Sequence, residues 1–426
     1  MLILLGFGGT NQAIAELYAP LLVFDDNFKT LSYDRFGNAL YPSTYLPEIL
    51  SVQFDAKILI SPGIQPNNMM VQTALAFAKK YPKIHFLSEY DFFADTMPAS
   101  VWISGTNGKT TTTQMVTHLL QCIGAQSGGN IGMPLAKLDS NSSLWVLETS
   151  SFMLHYTNLA KPSLYLLLPL SQDHISWHGS YANYVADKLK PVVSLKEKEI
   201  AVLPKNLEEH PYCKESLGNL VFYENSNDLA LIFELDLEQI IFKEPFLLDA
   251  TLALCAAKIL TLQADYALLN TFKIGAHKIE EFYDDVGNLW VDDSKGTNID
   301  ATMEALKRYQ DKKILLILGG DDKGADLSLL FDLMKYLQNT KGKGIEIFAI
   351  GSNTEKLCHL ASGIVEFKAC YTLDVAVSSI KERLLELKSK KDSINCVAML
   401  SPAAASLDQF SSYKERGEKF KAYVLS

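Results

Sequence analysis

Short apolar runs that stop abruptly at glycine or a polar cluster recur along almost the whole chain, with helical stretches between them. LILLGFGG, KILISPG, VWISGTNG, LWVLETSS, KILLILGGDD and IEIFAIGS are the clearest instances. Continuous apolar character marks strands buried on both faces, and strands separated by helices build parallel sheets, so the fold class is α/β. In open sheets of this kind ligands sit beyond the carboxyl ends of the strands, which makes the polar stops the candidate sites. With 426 residues the chain can bury two or three cores. The runs fall into three blocks, 1–91, 92–275 and 276–426, and DFFADTMPAS reads as the connector between the first two.

The formal net charge of -10 excludes a nucleic-acid binder that works through a basic surface. A local pocket can still attract an anion against that field. No apolar run approaches the roughly 18 residues that cross a bilayer. The opening MLILLGFGGTNQ has no basic leader and reads as a buried strand, not a signal peptide. Cys122, Cys213, Cys255, Cys358, Cys370 and Cys396 form no CxxC pair and read as buried thiols of a reducing cytoplasm. The Lys/Glu-rich SIKERLLELKSKKDS reads as a solvated helix face.

One stop carries more chemistry than the rest: WISGTNGKTTTTQ, residues 102–114. VWIS is a buried strand, and Met115, Leu119, Leu120 and Ile123 recur at helical spacing behind the loop, with Gly124 as the stop. A strand, a glycine loop and a helix aim free N–H groups and the helix dipole at one point, which suits phosphate. Lys109 adds a cation for the outer phosphates and the hydroxyl of Thr110 suits Mg²⁺. The plainer alternative is a tight turn with a solvated lysine. The loop is also a variant, because the general phosphate-loop pattern wants glycine where this chain has Ile103. In the first block, Gly6 and Gly8 follow a strand and Asp25 ends the next, as in a dinucleotide fold, but Asn11 replaces the third glycine. A nicotinamide dinucleotide and another diphosphate both stay open on these residues.

The loop GTNGKTTT does not stand alone. GGNIGMPL (128–135), VLETSSFML (146–154), DHISWHGSYANYVADK (173–188), DDSKGTN (292–298), GGDDKGAD (319–326) and SPAAASLDQFSSYKERG (401–417) follow. Their order and approximate spacing resemble those of the Mur ligases, and the last run is similar to the signature of the D-glutamate-adding members. The resemblance implies three domains: an N-terminal Rossmann-like UDP-binding domain, a central P-loop ATPase-like parallel-sheet domain and a C-terminal Rossmann-like domain. It implies a cytoplasmic, monomeric ligase of peptidoglycan precursor synthesis. ATP would phosphorylate the L-alanyl carboxylate of UDP-N-acetylmuramoyl-L-alanine, and D-glutamate would displace the phosphate through a tetrahedral intermediate, with two Mg²⁺ ions as cofactors.

Residue by residue, the resemblance assigns ATP to Gly105, Thr106, Asn107, Gly108, Lys109, Thr110 and Thr111, with Asp249, Lys278 and Asp293. Glu148 closes a strand and would bind Mg²⁺ opposite Thr110, although a carboxylate there could equally cap a helix. His174 is implied at the second ion, where an imidazole is an uncommon ligand. Lys188, an ordinary exposed lysine by composition, is implied to carry a carbamate beside that ion, which requires it to be desolvated and deprotonated. His178 reads as a surface or packing residue. The UDP-sugar falls to Gly9, Thr10, Asp25, Asp26, Ser61, Gly63, Asn130 and His174. D-Glutamate falls to Thr297, Lys323, Ser406, Leu407 and Tyr413, whose cation and hydroxyls suit a dicarboxylate. Lys295 fits the reacting groups, and Arg416 reads as structural.

Two departures from the family pattern stand out. HKIE puts Lys278 where relatives have arginine, keeping the charge but losing the bidentate fork. PFLLDATLAL offers Asp249 where an asparagine-rich adenine motif is usual, and an aspartate cannot donate to a ring nitrogen. Other readings are a Mur ligase for a different amino acid, a folylpolyglutamate synthetase, a nicotinamide-dependent oxidoreductase and a non-catalytic nucleotide module. The C-terminal run disfavours the first two, Asn11 the third, and the joint presence of Lys109, Glu148, His174 and Lys188 the fourth.

Overall fold

The computed structural model describes residues 1–52, 55–130, 132–341, 344–389 and 395–426. These form two compact units, Met1–Phe272 and Lys273–Ser426. Ile131 of GGNIGMPL and residues 390–393 of the Lys/Glu-rich run lie outside the described residues.

The first unit holds two sheets. One contains β1 (Leu2–Leu5), β2 (Leu22–Asp25), β3 (Ser32–Tyr33), β4 (Ala39–Pro42), β5 (Ala56–Ile60) and β6 (Ile84–Leu87), in the order β3-β4-β2-β1-β5-β6. Only the β3–β4 pair is antiparallel. The other contains β7 (Ser100–Ser104), β8 (Ala125–Gly129), β9 (Leu144–Glu148), β10 (Leu164–Leu167), β11 (Ile200–Pro204) and β12 (Asn219–Tyr223). Its order is β12-β11-β10-β7-β9-β8 and every pair is parallel. β7, β9 and β10 are buried at every residue, as their unbroken apolar runs predict. In each sheet the connections reverse direction beside a central strand, β1 or β7, so a crevice opens at that strand's carboxyl end. Those are the ends that carry GFGG and GTNGK.

The second unit is built on β13 (Glu280–Tyr283), β14 (Leu289–Asp292), β15 (Lys313–Leu318), β16 (Ile345–Ile350), β17 (Glu366–Tyr371) and β18 (Cys396–Leu400). Their order is β13-β14-β18-β15-β16-β17, and β13 pairs antiparallel with β14. β18, last in the chain, enters the middle of the sheet, which places SPAAAS between the ends of β14 and β15. No described helix is long and apolar enough to cross a membrane.

Four local expectations need correction. DFFADTMPAS is not wholly a connector: Asp91, Phe92 and Phe93 complete a short helix, Glu89–Phe93, in which Tyr90 and Phe93 are core. Ile123 leaves the apolar face, because the chain tightens into a 3-10 turn at Gln121–Ile123 and turns it outward, 40% exposed. Cys122 in the same turn is exposed, as is Cys358, so the cysteines are free thiols but not all buried. The Lys/Glu-rich run belongs to helix Leu373–Ser389, whose Ile380, Leu384 and Leu387 face the core; only its other side is solvated.

Asp91 explains why the short helix persists. Its buried carboxylate accepts the main-chain N–H groups of Asn158, Leu159 and Ala160 at 2.8 to 3.1 Å. Asp91→Ala leaves these donors without a partner and is expected to lower the urea-unfolding midpoint by the equivalent of about 3 kcal/mol. A midpoint within about 0.5 kcal/mol of wild type would show that water replaces the carboxylate there.

Candidate active site

Gly108 begins the glycine loop's helix. Its φ of 81° is left-handed, and a Cβ there would lie 2.4 Å from Asp249 Oδ1. Only glycine fits that turn and that approach. The helix Lys109–Leu120 then starts with its free N–H groups beyond the end of β7. Lys109 is half-buried, and its Nζ donates to Gly105 O (2.9 Å) and Thr106 O (2.7 Å), folded over the loop. It is not the solvated lysine of the plainer reading.

Thr106 Oγ1 bonds the Tyr184 hydroxyl at 2.8 Å and accepts from Ser171 N at 3.0 Å, tying the loop to its neighbours. Asn107 is half-buried and Thr111 buried. Asp249 comes from a helix far along the chain and is buried; its Oδ1 accepts from Thr112 Oγ1 at 2.9 Å. It therefore packs against the loop itself. Thr112 shows no distinguishing signal in the sequence, being one threonine of four.

Glu148 ends β9 with Ile103 of β7 on one side and Gly129 of β8 on the other. Thr110 Oγ1 donates to its Oε2 at 2.7 Å, and Asn130 Nδ2 donates to its Oε1 at 2.7 Å. Three residues from three sequence motifs thus meet at one carboxylate. A hydroxyl and a carboxylate oxygen a hydrogen bond apart are hard donors that fit Mg²⁺ as they stand.

Lys188 is buried, 1% exposed, not the exposed lysine that composition suggests. Its Nζ donates to Ser104 Oγ (3.0 Å) and Gly105 O (2.9 Å), with the Tyr184 ring 5.0 Å away. Desolvation, reinforced by the charge of Lys109, holds its pKa well below the usual lysine range. It fits a metal only after conversion to an anion such as a carbamate. The neutral amine that such a reaction requires is the form burial favours. His174 sits in the left-handed region (φ 53°) and packs against Phe152 with ring centroids 4.7 Å apart. Although its side chain is 46% exposed, partial desolvation lowers its pKa; Asp173 opposes this and the charge of Lys109 adds to it. His178 is a packing residue, not a surface one: Asp187 Oδ2 bonds both its Nδ1 (2.8 Å) and His155 Nδ1 (2.9 Å).

In the first sheet, Gly9 and Thr10 open helix Gly9–Tyr18 at the end of β1, and Ser61 and Gly63 follow β5. Ser61 N donates to Leu5 O at 2.8 Å, which joins the two strand ends. Asn11 answers for the absent third glycine: buried, it donates to Leu5 O and Gly6 O and closes the loop. Asp25 turns back on the same loop, accepting from Phe7 N at 2.7 Å and from Asn27, so its carboxylate braces the backbone. Asp26 is exposed and accepts from Asn68 Nδ2.

In the second unit Asp293 is buried and joins three motifs. Its Oδ2 accepts from Ser401 Oγ at 2.6 Å and its Oδ1 from Ile279 N, next to Lys278, at 3.3 Å. Burial pushes its pKa up to about 7. The loops of Thr297, Lys323 and Ser406 are laced by Ala403 N to Gly296 O (3.0 Å) and by a bridge between Asp321 and Ala405. Ser406 is buried, while Thr297, Lys323 and Leu407 are exposed. Lys295 Nζ lies 4.3 Å from the Tyr413 ring centroid. Arg416 is structural as expected: buried, it donates to Ser294 Oγ, Ser294 O, Ala404 O and Ala405 O.

Residues 103–238 match the family model described as the Mur ligase middle domain. A UDP-N-acetylmuramoylalanine–D-glutamate ligase of Campylobacter jejuni is 48% identical over 99% of this chain and 98% of that protein. A ligase of the same name from Helicobacter pylori is 44% identical over 99% of both. Among solved structures, MurF from Acinetobacter baumannii shares the fold with a TM-score of 0.58 at 13% identity, covering 99% of this chain and 93% of that one. MurF ligase from Thermotoga maritima in complex with ADP does so with a TM-score of 0.55 at 15% identity, covering 99% and 96%.

Proposed function

The chain belongs to the Mur ligase family, among its UDP-N-acetylmuramoylalanine–D-glutamate ligases, and from that membership we propose how its residues divide the reaction. It is an ATP-dependent acid–amino-acid ligase of peptidoglycan precursor synthesis. The proposed substrates are UDP-N-acetylmuramoyl-L-alanine and D-glutamate. The γ-phosphoryl group of ATP passes to the L-alanyl carboxylate, the amine of D-glutamate attacks the acyl phosphate, and the tetrahedral intermediate expels phosphate to leave an amide. The proposed setting is a cytoplasmic monomer, on the sequence grounds above.

The observation that carries this division is the meeting of Thr110, Asn130 and Glu148 beside Lys109 and the buried Lys188. Phosphoryl transfer is mainly positioning and charge neutralisation, so cations and oxygen donors around one strand end are what it requires. In the proposed scheme the loop 105–111 cradles the phosphates and Lys109 swings from its own loop carbonyls onto them. Thr110 and Glu148 would hold one Mg²⁺, and His174 with a carbamylated Lys188 a second. Bound there, the ions supply charge neutralisation of the transferring phosphoryl group. Asp249 supports the loop from below, and Asn130 links Glu148 to the nucleotide-sugar. Gly9, Thr10, Ser61 and Gly63 take the UDP end; Asp25 braces their loop. Thr297, Lys323, Ser406, Leu407 and Tyr413 are proposed for D-glutamate, with Lys278, Asp293 and Lys295 for ATP and the reacting groups.

The test is phosphate release from ATP in the presence of UDP-N-acetylmuramoyl-L-alanine, offering D-glutamate, L-glutamate, meso-diaminopimelate, L-lysine and L-alanine in turn. Release that needs D-glutamate is expected. Release with another amine would keep the ligase and reassign the second unit's pocket, whereas none with any amine would remove the proposed substrates.

A further inference from the structure

The short helix Glu89–Phe93 sends three consecutive side chains to three separate loops. Asp91 holds residues 158–160, as described above. Tyr90 reaches the end of β9: its hydroxyl lies 3.4 Å from Glu148 O, and a Cβ on Gly129 would meet that hydroxyl at 2.8 Å. Glu89 accepts from Leu135 N at 2.8 Å, at the far end of the run that begins with Asn130.

Glu89 is the unusual member. It is 4% exposed, and among the described residues its Oε2 has no hydrogen-bond partner. It lines a cavity of about 10 Å³, room for about one water, whose wall includes Pro62 of the SPG run together with Met153 and Tyr156. Tyr156 in turn donates from its hydroxyl to Ile64 O at 2.7 Å, so this side of the cavity is fastened to the same loop. Among the described residues no cation pairs with this buried carboxyl, and such a group is less favourable there than an apolar side chain of the same shape, so its presence calls for a reason. Burial pushes its pKa up to about 8. The upward shift favours the protonated carboxyl, which can donate as well as accept.

The geometry points to Glu89 as a positioning residue for the nucleotide-sugar: it sets the loop of Asn130 against the loop of Ser61 and Gly63. This rests on the functional reading above, because both loops are assigned there to one ligand. Two loops on different sheets reach one molecule productively only if their separation is held, and a misplacement of about 1 Å can cost about a hundredfold. Glu89 bonds one of them through Leu135 N and shares the wall of the cavity with Pro62 of the other. It contacts no reacting atom itself.

The experiment compares wild type, Glu89→Met and Glu89→Gln. Methionine fills the space without acceptor or donor; glutamine keeps an acceptor for Leu135 N and a donor for the cavity. Calorimetric dissociation constants for UDP-N-acetylmuramoyl-L-alanine are measured alongside KM and kcat. Glu89→Met is expected to weaken the nucleotide-sugar by about tenfold or more, with the KM for ATP within about threefold, and Glu89→Gln to restore most of the loss. Equal affinities for wild type and Glu89→Met would overturn the assignment. So would equal losses for Met and Gln, or a parallel rise in the KM values of all substrates, which would mark general damage. If Glu89→Met does not fold, Glu89→Asp, which withdraws the carboxyl by one methylene, carries the same comparison. Binding is read without turnover. A wild type that binds the nucleotide-sugar but releases no phosphate therefore counts against the ligase reading and leaves the Glu89 comparison intact.

Discussion

Lys109→Ala is expected to release phosphate at no more than about a hundredth of the wild-type rate while folding normally. Removing one preorganised charge from a phosphoryl-transfer site costs about 10²- to 10³-fold in kcat. The fall should appear in kcat more than in the KM for ATP, because the lysine meets charge that develops during transfer. Little structural loss is expected, since Lys109 is half-buried at the start of the helix and its Nζ bonds carbonyls of its own loop, Gly105 O and Thr106 O. The helix behind it is held by buried Met115, Val116, Leu119 and Leu120. The check is steady-state kinetics beside a thermal unfolding scan. Turnover within tenfold of wild type at an unchanged midpoint would take the phosphates away from this loop.

Lys188→Met separates stability from activity more sharply. Among the described residues none of the hydrogen-bond partners of Lys188 is a carboxylate, so the side chain contributes a desolvated amine to a core position. Methionine is unbranched, one atom shorter and uncharged, while Ser104 Oγ can still donate to Thr149 O at 2.8 Å. The unfolding midpoint should stay within about 2 °C, the equivalent of roughly 1 kcal/mol for a unit of this size. Turnover should drop by about a hundredfold or more if this position supplies a metal ligand. A variant as active as wild type would make Lys188 a packing residue and remove the carbamate from the mechanism. The sign of the pKa shift agrees with the chemical role: burial lowers it, so the neutral amine is the populated form over a wider pH range than for an exposed lysine.

Much of the loop was legible because its chemistry is local. VWIS, two glycines, a lysine and a threonine lie in one short stretch, and the left-handed turn at Gly108 needs no distant partner to be anticipated. The strands were legible for the same reason, since an unbroken apolar run announces a strand buried on both faces. Contacts made across the chain were not. Thr112 and Asp249 bond over 137 residues; Asp249 stands out in its apolar run, but nothing in the sequence points to Thr112 as its partner. Lys188 sits in a helix whose other positions are ordinary, so its burial followed only from the packing of that helix against the end of β7. Asp25 has the position of a ribose-binding acid, yet it spends its oxygens on Phe7 N and Asn27. Glu89 lies just before the run read as connector and carries no signal of its own in the sequence; its position becomes visible only once Pro62, Met153 and Tyr156 line a cavity with it.

By itself the sequence determined the class of fold, the strand ends where ligands belong and the family whose chemistry those ends resemble. Periodicity and turn residues act within a few positions of the backbone, so they can be read from the chain alone. Which side chains brace the loops and which stay exposed follows only from the folded chain. Burial and hydrogen-bond partners are properties of neighbours brought together by folding. Lys188, Asp293 and Glu89 acquire their electrostatic character from those neighbours and from the exclusion of water.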